Sequence, residues 1–370
     1  MRVDVFAVED HAAQVCFAGA RPGLVTFAAG PAERTVATDG SPAAIDLDGL
    51  PADSHLELTV VEEHAPRRMI GHFRTLPPPP GALLSRFATM NDLHLGAQSF
   101  GTLRPFWEDN GEDPHPLRCA RDAAAEARAW GAELIVLKGD LTQQATPDEW
   151  RTVGSLVASI GPSVVIEGNH DTARKAVDGA TILASFGVEL HQRPWALDLA
   201  GVRIVVFPTA AWHVDEGTVD DDHLRAVAEL VGAAPGAAVV AMHHYPQRFR
   251  WPTMYPDGIP GPAAGRLLDA LAEANPATLV LTGHSHRHRS HHHGPLVVAE
   301  VGSTKDYPGS WAGYAVHEGG IRQVTRRVAA PESIRWTEQG RRVMGGIWGV
   351  WAAGVRSHRC FTHVWPPRPA

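Results

Sequence analysis

Apolar residues in this chain fall into short runs separated by glycine, proline and acidic turns, and the spacing of the runs changes once, near residue 80. Before that point, residues 14–18, 24–28 and 55–61 alternate apolar with polar positions and no helical period is visible, so residues 1–76 are predicted to form a small all-β unit of sandwich type. Pro77-Pro78-Pro79-Pro80-Gly81 follows. Consecutive prolines favour extended geometry and cannot sit inside a sheet, so 77–81 reads as a linker. From residue 82 the pattern alternates. Apolar runs at 87–90, 134–137, 164–166, 202–207, 238–242, 279–281 and 296–301 predict strands, and helical periods cover 117–130, 147–159, 221–231 and 263–274. Thr146 with Pro147 at the first helical position marks one helix start. Strands interleaved with helices predict an α/β domain over 82–330. Residues 331–370 carry Trp336, Trp348, Trp351 and Trp365 among Gly and Arg, an extension expected to pack its tryptophans on the main body.

Composition narrows the field. A hydrophobic share of 44% and a charged share of 20% over 370 residues are those of a soluble globular protein. A net charge of −8 speaks against a nucleic-acid surface, which needs a basic face. No apolar run is long enough for a membrane span, and the acidic start (Asp4, Glu9, Asp10) is not a signal peptide, so a cytoplasmic location is expected. Cys16, Cys119 and Cys360 are too scattered for a disulfide ladder or a cysteine zinc motif and read as buried thiols.

Five stretches carry the candidate chemistry: Asp92-Leu93-His94, Gly139-Asp140, Gly168-Asn169-His170-Asp171, His243-His244 and Gly283-His284-Ser285-His286. Each follows an apolar run, which puts its polar groups at strand tips. Carboxylate, amide and imidazole together suit a borderline transition metal better than calcium or magnesium, which prefer oxygen shells. Gly139 and Gly168 allow tight turns beside the site. Of the paired histidines, placement at the strand end favours His243, whereas counting back from Pro246 favours His244.

In that order, D-x-H, G-D, G-N-H-D, H and G-H-x-H, the chain resembles the calcineurin-like metallophosphoesterase superfamily over roughly residues 86–320. The resemblance implies a four-layer α/β/β/α sandwich with a binuclear centre at the strand ends. One transition-metal ion would take Asp92, His94 and His286, the other Asn169, His243 (or His244) and His284, with Asp140 shared; manganese, iron, zinc and cobalt all accept such donors. A water between two cations loses its proton more readily and would attack phosphorus in line with the departing alcohol. His170 would not hold metal. It would stabilise charge or protonate the leaving oxygen, with Asp171 holding its ring.

Departures from particular subfamilies point to the substrate. Purple acid phosphatases place a tyrosine three residues after the G-D aspartate, where this chain has Gln143; protein serine/threonine phosphatases place an arginine before G-N-H, where it has Glu167. The reading is therefore a phosphodiesterase acting on a small anionic phosphoester. A phosphomonoesterase, a nuclease of the same superfamily and a non-catalytic scaffold are the alternatives. The N-terminal unit reads as a packing module or as a surface for a second copy in a homo-oligomer. Phe100, Phe106, Trp107 and Trp212 are candidates for a substrate wall, His288 and His291–His293 for a solvated loop, and Lys138 for the point where a strand meets the surface.

Overall fold

The computed structural model describes residues 1–101, 105–108, 111, 113–174, 177–249 and 256–366. Two six-stranded sheets lie face to face at its centre. The first runs, in spatial order, Ser163–Ile166, Leu134–Lys138, Leu83–Met90, Ser310–His317, Gly320–Arg327, Cys360–Val364. The second runs Trp195–Leu199, Val202–Val206, Ala237–Ala241, Thr278–Thr282, Leu296–Glu300, Arg289–His293. Three strands of the first sheet and four of the second are mutually parallel. Strands of that kind are covered on both faces and read as unbroken apolar runs.

Between the sheets, Phe87, Val136 and Tyr314 meet Ile204, Val239 and Leu281 in one buried cluster. Outside the first sheet pack the helices His115–Ala129 and Pro147–Ser159, which bury Cys119, Ala123 and Trp150; outside the second pack Asp221–Gly232 and Gly261–Ala274. The order of layers is helix, sheet, sheet, helix, as expected. Pro147–Ser159 starts with a full capping box, in which Thr146 and Glu149 each bond the other's backbone.

Ahead of this sandwich, a three-stranded sheet (Arg2–Val8, Ala12–Ala18, Ala43–Asp48) faces a four-stranded one (Ala32–Thr38, Gly23–Ala29, His55–Glu62, Arg68–Arg74). Val15, Phe17, Phe27, Leu47 and Val60 fill the space between them. The back of the three-stranded sheet rests on the first large sheet, where Phe6 and Cys16 meet Val324 and Cys360. Around that contact Arg326 pairs with Glu9 and Asp46, Arg322 pairs with Asp10, and Gln14 exchanges hydrogen bonds with the Arg327 backbone.

The C-terminal residues do more than lay tryptophans on the surface. After the helix Pro331–Gly340 they end as the strand Cys360–Val364, antiparallel to Gly320–Arg327, and so complete the first sheet. Trp336 stacks on His115 at 3.6 Å and packs against Phe106. Of His288 and His291–His293, expected in a solvated loop, the latter lie on an edge strand, Arg289–His293, and His288 is buried between Gly302 N and Ser310 Oγ. No helix among the described residues is long and apolar enough to cross a membrane.

Candidate metal centre

All five motifs leave the C-terminal ends of parallel strands on the same edge of the sandwich. In sheets of this kind that edge is where ligands bind. Asp92, His94, Asp140, His284 and His286 stand there with φ of 52°, 46°, 50°, 66° and 53°. Left-handed backbone costs a side-chain-bearing residue about 1–3 kcal/mol and persists only where the surroundings impose it. Here the loops hold one another. Asp92 N donates to Gly139 O (3.1 Å), His94 N to Asp140 O (2.8 Å), Gly283 N to His243 O (2.9 Å) and His284 N to the Asp92 carboxylate (3.1 Å). Gly139 is required by close approach: a Cβ there would come within 2.7 Å of both Gly168 N and His243 Nδ1.

The protonation of three rings follows from their neighbours. His243 Nδ1 faces the Lys138 carbonyl at 2.8 Å, His284 Nε2 the Asp257 carbonyl at 3.0 Å and His286 Nδ1 the Asp306 carboxylate at 2.8 Å. These oxygens only accept, so each facing nitrogen carries a proton, and in the neutral ring the opposite nitrogen is the one free to bind a cation. Those opposite nitrogens converge. His243 Nε2 lies 3.2 Å from His284 Nδ1 and 3.2 Å from Asn169 Oδ1, while His94 Nε2 lies 3.2 Å from His286 Nε2. Asp140 bridges the groups, with Oδ1 3.4 Å from His243 Nε2 and Oδ2 3.6 Å from His94 Nε2; Asp92 Oδ1 is 3.6 Å from His286 Nε2.

Nitrogens and carboxylate oxygens crowded this closely need positive charge among them, protons or a shared metal ion. Donors about 2.1 Å from a shared ion stand roughly 3.4 Å apart in a tetrahedral shell, which matches the spacing found. The field agrees. Burial opposes protonation of His243, yet Asp140 and Asp92 push its ring up to about 9, and His286 is raised against burial by Asp92 and Asp306. Asp140 is itself held well below the usual carboxylate range despite burial, by His243 and His94. The pocket is one that draws positive charge.

The structure brings all seven expected donors together. His243 faces Asp140; His244 engages Thr209 Oγ1 through Nδ1 at 2.8 Å, while its Nε2 is buried without a hydrogen bond among the described residues and His244 offers a ring nitrogen within 4.8 Å of those of His243 and His284. His170 sits edge-on to His94 at 4.5 Å and donates from Nδ1 to Gln143 O at 2.7 Å.

That last bond corrects one expectation. Asp171 does not hold the His170 ring. Its carboxylate is buried under Leu141 N, Thr142 N, Thr142 Oγ1 and Gly168 N, at 2.7–3.0 Å, because three backbone N–H groups at this crossing of loops have no other acceptor. Lys138 is corrected as well: it is fully buried, and Nζ donates to Thr282 O at 2.6 Å, since its strand ends inside the sandwich rather than at the surface. Of the expected wall residues, Phe100 packs on Phe106 and Trp348, Trp107 is exposed, and Trp212 lies against His213.

Asp306 and Lys305 were not anticipated. They follow the strand Leu296–Glu300, so the same strand-end rule that located the other donors points to them too. Asn91, also unanticipated, donates through Nδ2 to the Asp92 carboxylate and to Val301 O.

Comparison with known proteins gives the frame a lineage. No curated protein sequence matches the chain. Among solved structures, PhoD is similar at 10% identity and a TM-score of 0.45, over 87% of this chain and 85% of that one. The purple acid phosphatase PPD1 from yellow lupin (Lupinus luteus) seeds is similar at 10% identity and 0.45, over 89% and 72%. GAP50 of Plasmodium is similar at 13% identity and 0.47, over 68% and 87%. The family model described as calcineurin-like phosphoesterase matches residues 85–288, from the first strand of the sandwich to just past His286. Since that stretch is more than half of the chain and holds every motif described above, the protein belongs to the calcineurin-like phosphoesterase family.

Proposed function

We propose that the protein is a phosphodiesterase that hydrolyses a small anionic phosphoester with two transition-metal ions. Asp92, His94 and His286 would hold one ion and Asn169, His243 and His284 the other, with Asp140 serving both. The observation that carries this reading is the convergence of imidazole nitrogens and carboxylate oxygens at 3.2–3.6 Å. When bound, the ions act as Lewis acids toward a phosphoryl oxygen and make water acidic enough to attack phosphorus.

The remaining steps fall to the chain. Gln143 O fixes His170 with its proton on Nδ1, which leaves Nε2, once protonated, to deliver a proton to the departing oxygen. The His170 backbone N–H donates to Asp140 Oδ1 at 3.0 Å and so sets the ring's distance from the bridge.

Charge supports a diester over a monoester. Among the described residues, Lys138 is committed to Thr282 O, Lys305 to Asp306, and Arg174 to Gln144 O. Glu167, whose carboxyl burial and Asp171 push up to about 7, accepts from Gln192 and fills the sequence position before G-N-H where protein serine/threonine phosphatases carry an arginine. A diester monoanion asks for less compensating charge. The test compares bis-p-nitrophenyl phosphate with p-nitrophenyl phosphate on protein reloaded with manganese, zinc, cobalt or iron. Faster turnover of the diester is expected. A strong preference for the monoester would overturn the diesterase reading, and loss of both activities in the metal-loaded protein would overturn the hydrolytic one.

A further inference from the structure

Three of the rings at the centre send an N–H outward, but their acceptors differ in kind. His243 and His284 donate to the neutral carbonyls of Lys138 and Asp257. His286 alone donates to a carboxylate, Asp306 Oδ2, at 2.8 Å. The other oxygen of that carboxylate takes Lys305 Nζ at 2.7 Å, and both side chains are buried. A buried carboxylate with a cation on one oxygen and an imidazole N–H on the other stays ionised and cannot swing away.

The segment that presents this pair is fastened to the loop of another donor of the same half. Ser303 Oγ donates to Asp92 O at 2.8 Å and accepts from Lys305 N and Asp306 N at 3.2 and 3.3 Å. Thr304 N donates to Asn91 O at 3.2 Å. From the other side Trp336 Nε1 holds Lys305 O at 3.1 Å. Asp306, His286 and Asp92 thus form one braced unit with a charged acceptor behind its imidazole; among the described residues the rings of the Asn169–His243–His284 half have only neutral carbonyls behind them.

We propose that Asp306, held by Lys305, is a positioning residue that fixes the His286 tautomer, strengthens it as a donor, and makes the Asp92–His94–His286 half bind its ion more tightly than the Asn169–His243–His284 half. The inference rests on the two-ion reading above. Its physical basis is that a carboxylate behind an imidazole raises the basicity of the opposite nitrogen, and a neutral carbonyl does so less.

The experiment is a calorimetric titration of the metal-free full chain with Zn²⁺ and, separately, with Co²⁺ followed by visible absorption. Wild type is expected to bind two ions in two resolved steps. In Asp306→Asn the tighter step should weaken by roughly 10- to 100-fold while the weaker step stays where it was. Asp306→Glu, which keeps the charge, should recover most of the loss, and Lys305→Met, which removes the cation holding Asp306, serves as the probe if the Asn variant does not fold and should also weaken the tighter step alone. Two unchanged steps would overturn the proposal. Equal weakening of both steps would also overturn it, by showing a general structural role. A wild type that binds no ion would instead bring down the two-ion reading itself, so the two failures are told apart.

Discussion

Asp171 and His170 are neighbours in sequence with opposite duties, and single substitutions separate them. The Asp171 carboxylate is the acceptor for three backbone N–H groups and one hydroxyl, all buried. Asp171→Ala strands those donors, each at about 1–3 kcal/mol, so the variant is expected to lose at least about 3 kcal/mol in denaturant melts. Stability within about 1 kcal/mol of wild type would show that water replaces the carboxylate. Among the described residues the His170 ring hydrogen-bonds Gln143 O alone and sits edge-on to His94. His170→Ala is therefore expected to keep two ions per chain by elemental analysis while turnover falls by roughly 10²- to 10⁴-fold, the usual worth of a general acid. A metal-depleted His170→Ala would make that ring a ligand. Sequence order alone located both residues but could not assign Asp171 its role, because its partners come from the Leu141–Thr142 backbone thirty residues away.

Among the elements, the helix His115–Ala129 is pinned to the sheet by an acid. Glu126 accepts from Ala329 N at 2.8 Å and from Trp311 Nε1 at 3.1 Å, and burial raises its carboxyl from 4.5 to about 6. A carboxyl raised in the folded state favours folding most where it is protonated. That contribution is full below pH 4.5 and is lost as pH rises through about 6, a change of about 2 kcal/mol. Glu126→Gln should remove this slope, so the stability of the variant relative to wild type rises between pH 4.5 and 7; a flat difference across that window would show Glu126 to be solvated. The elements also show where sequence patterning fails. Pro147–Ser159 was legible to the residue from its Thr146-Pro147 start and apolar face. The strand Gly320–Arg327 was not, because Arg322, Gln323, Arg326 and Arg327 are buried against the N-terminal unit and the helix Pro331–Gly340, and hide the apolar run a central strand normally shows. Cys360–Val364 was missed for a related reason: it completes a sheet whose other strands lie far away in sequence.

For the whole molecule, the centre joins the two halves of the sandwich. Asp92, Asp140 and Asn169 leave strands of the first sheet, and His243, His284 and His286 leave strands of the second. Ions held by both sets would act as a cross-link that the unfolded chain cannot reproduce, so binding free energy would become folding free energy. At a free-ion concentration of about 100 times the dissociation constant, each ion adds about 2.7 kcal/mol. The metal-loaded protein should therefore melt well above the same protein after chelation, and the gap should grow with ion concentration. It should also depend on pH in a definite direction. The nitrogens that meet at the centre must be unprotonated to bind, while the carboxylates around His243 and His286 favour protonation when no ion is present. Protons and metal thus compete for the same lone pairs, and the gap between loaded and chelated protein should shrink as pH falls and reopen as it rises. A second comparison locates the effect. Arg326→Ala strips the partner from Glu9 and Asp46 at the seam with the N-terminal unit, and is expected to lower the melting temperatures of the loaded and chelated forms together, leaving the gap intact. Equal melting of loaded and chelated wild type at neutral pH would mean that the ions do not bridge the sheets, whatever the donors' spacing.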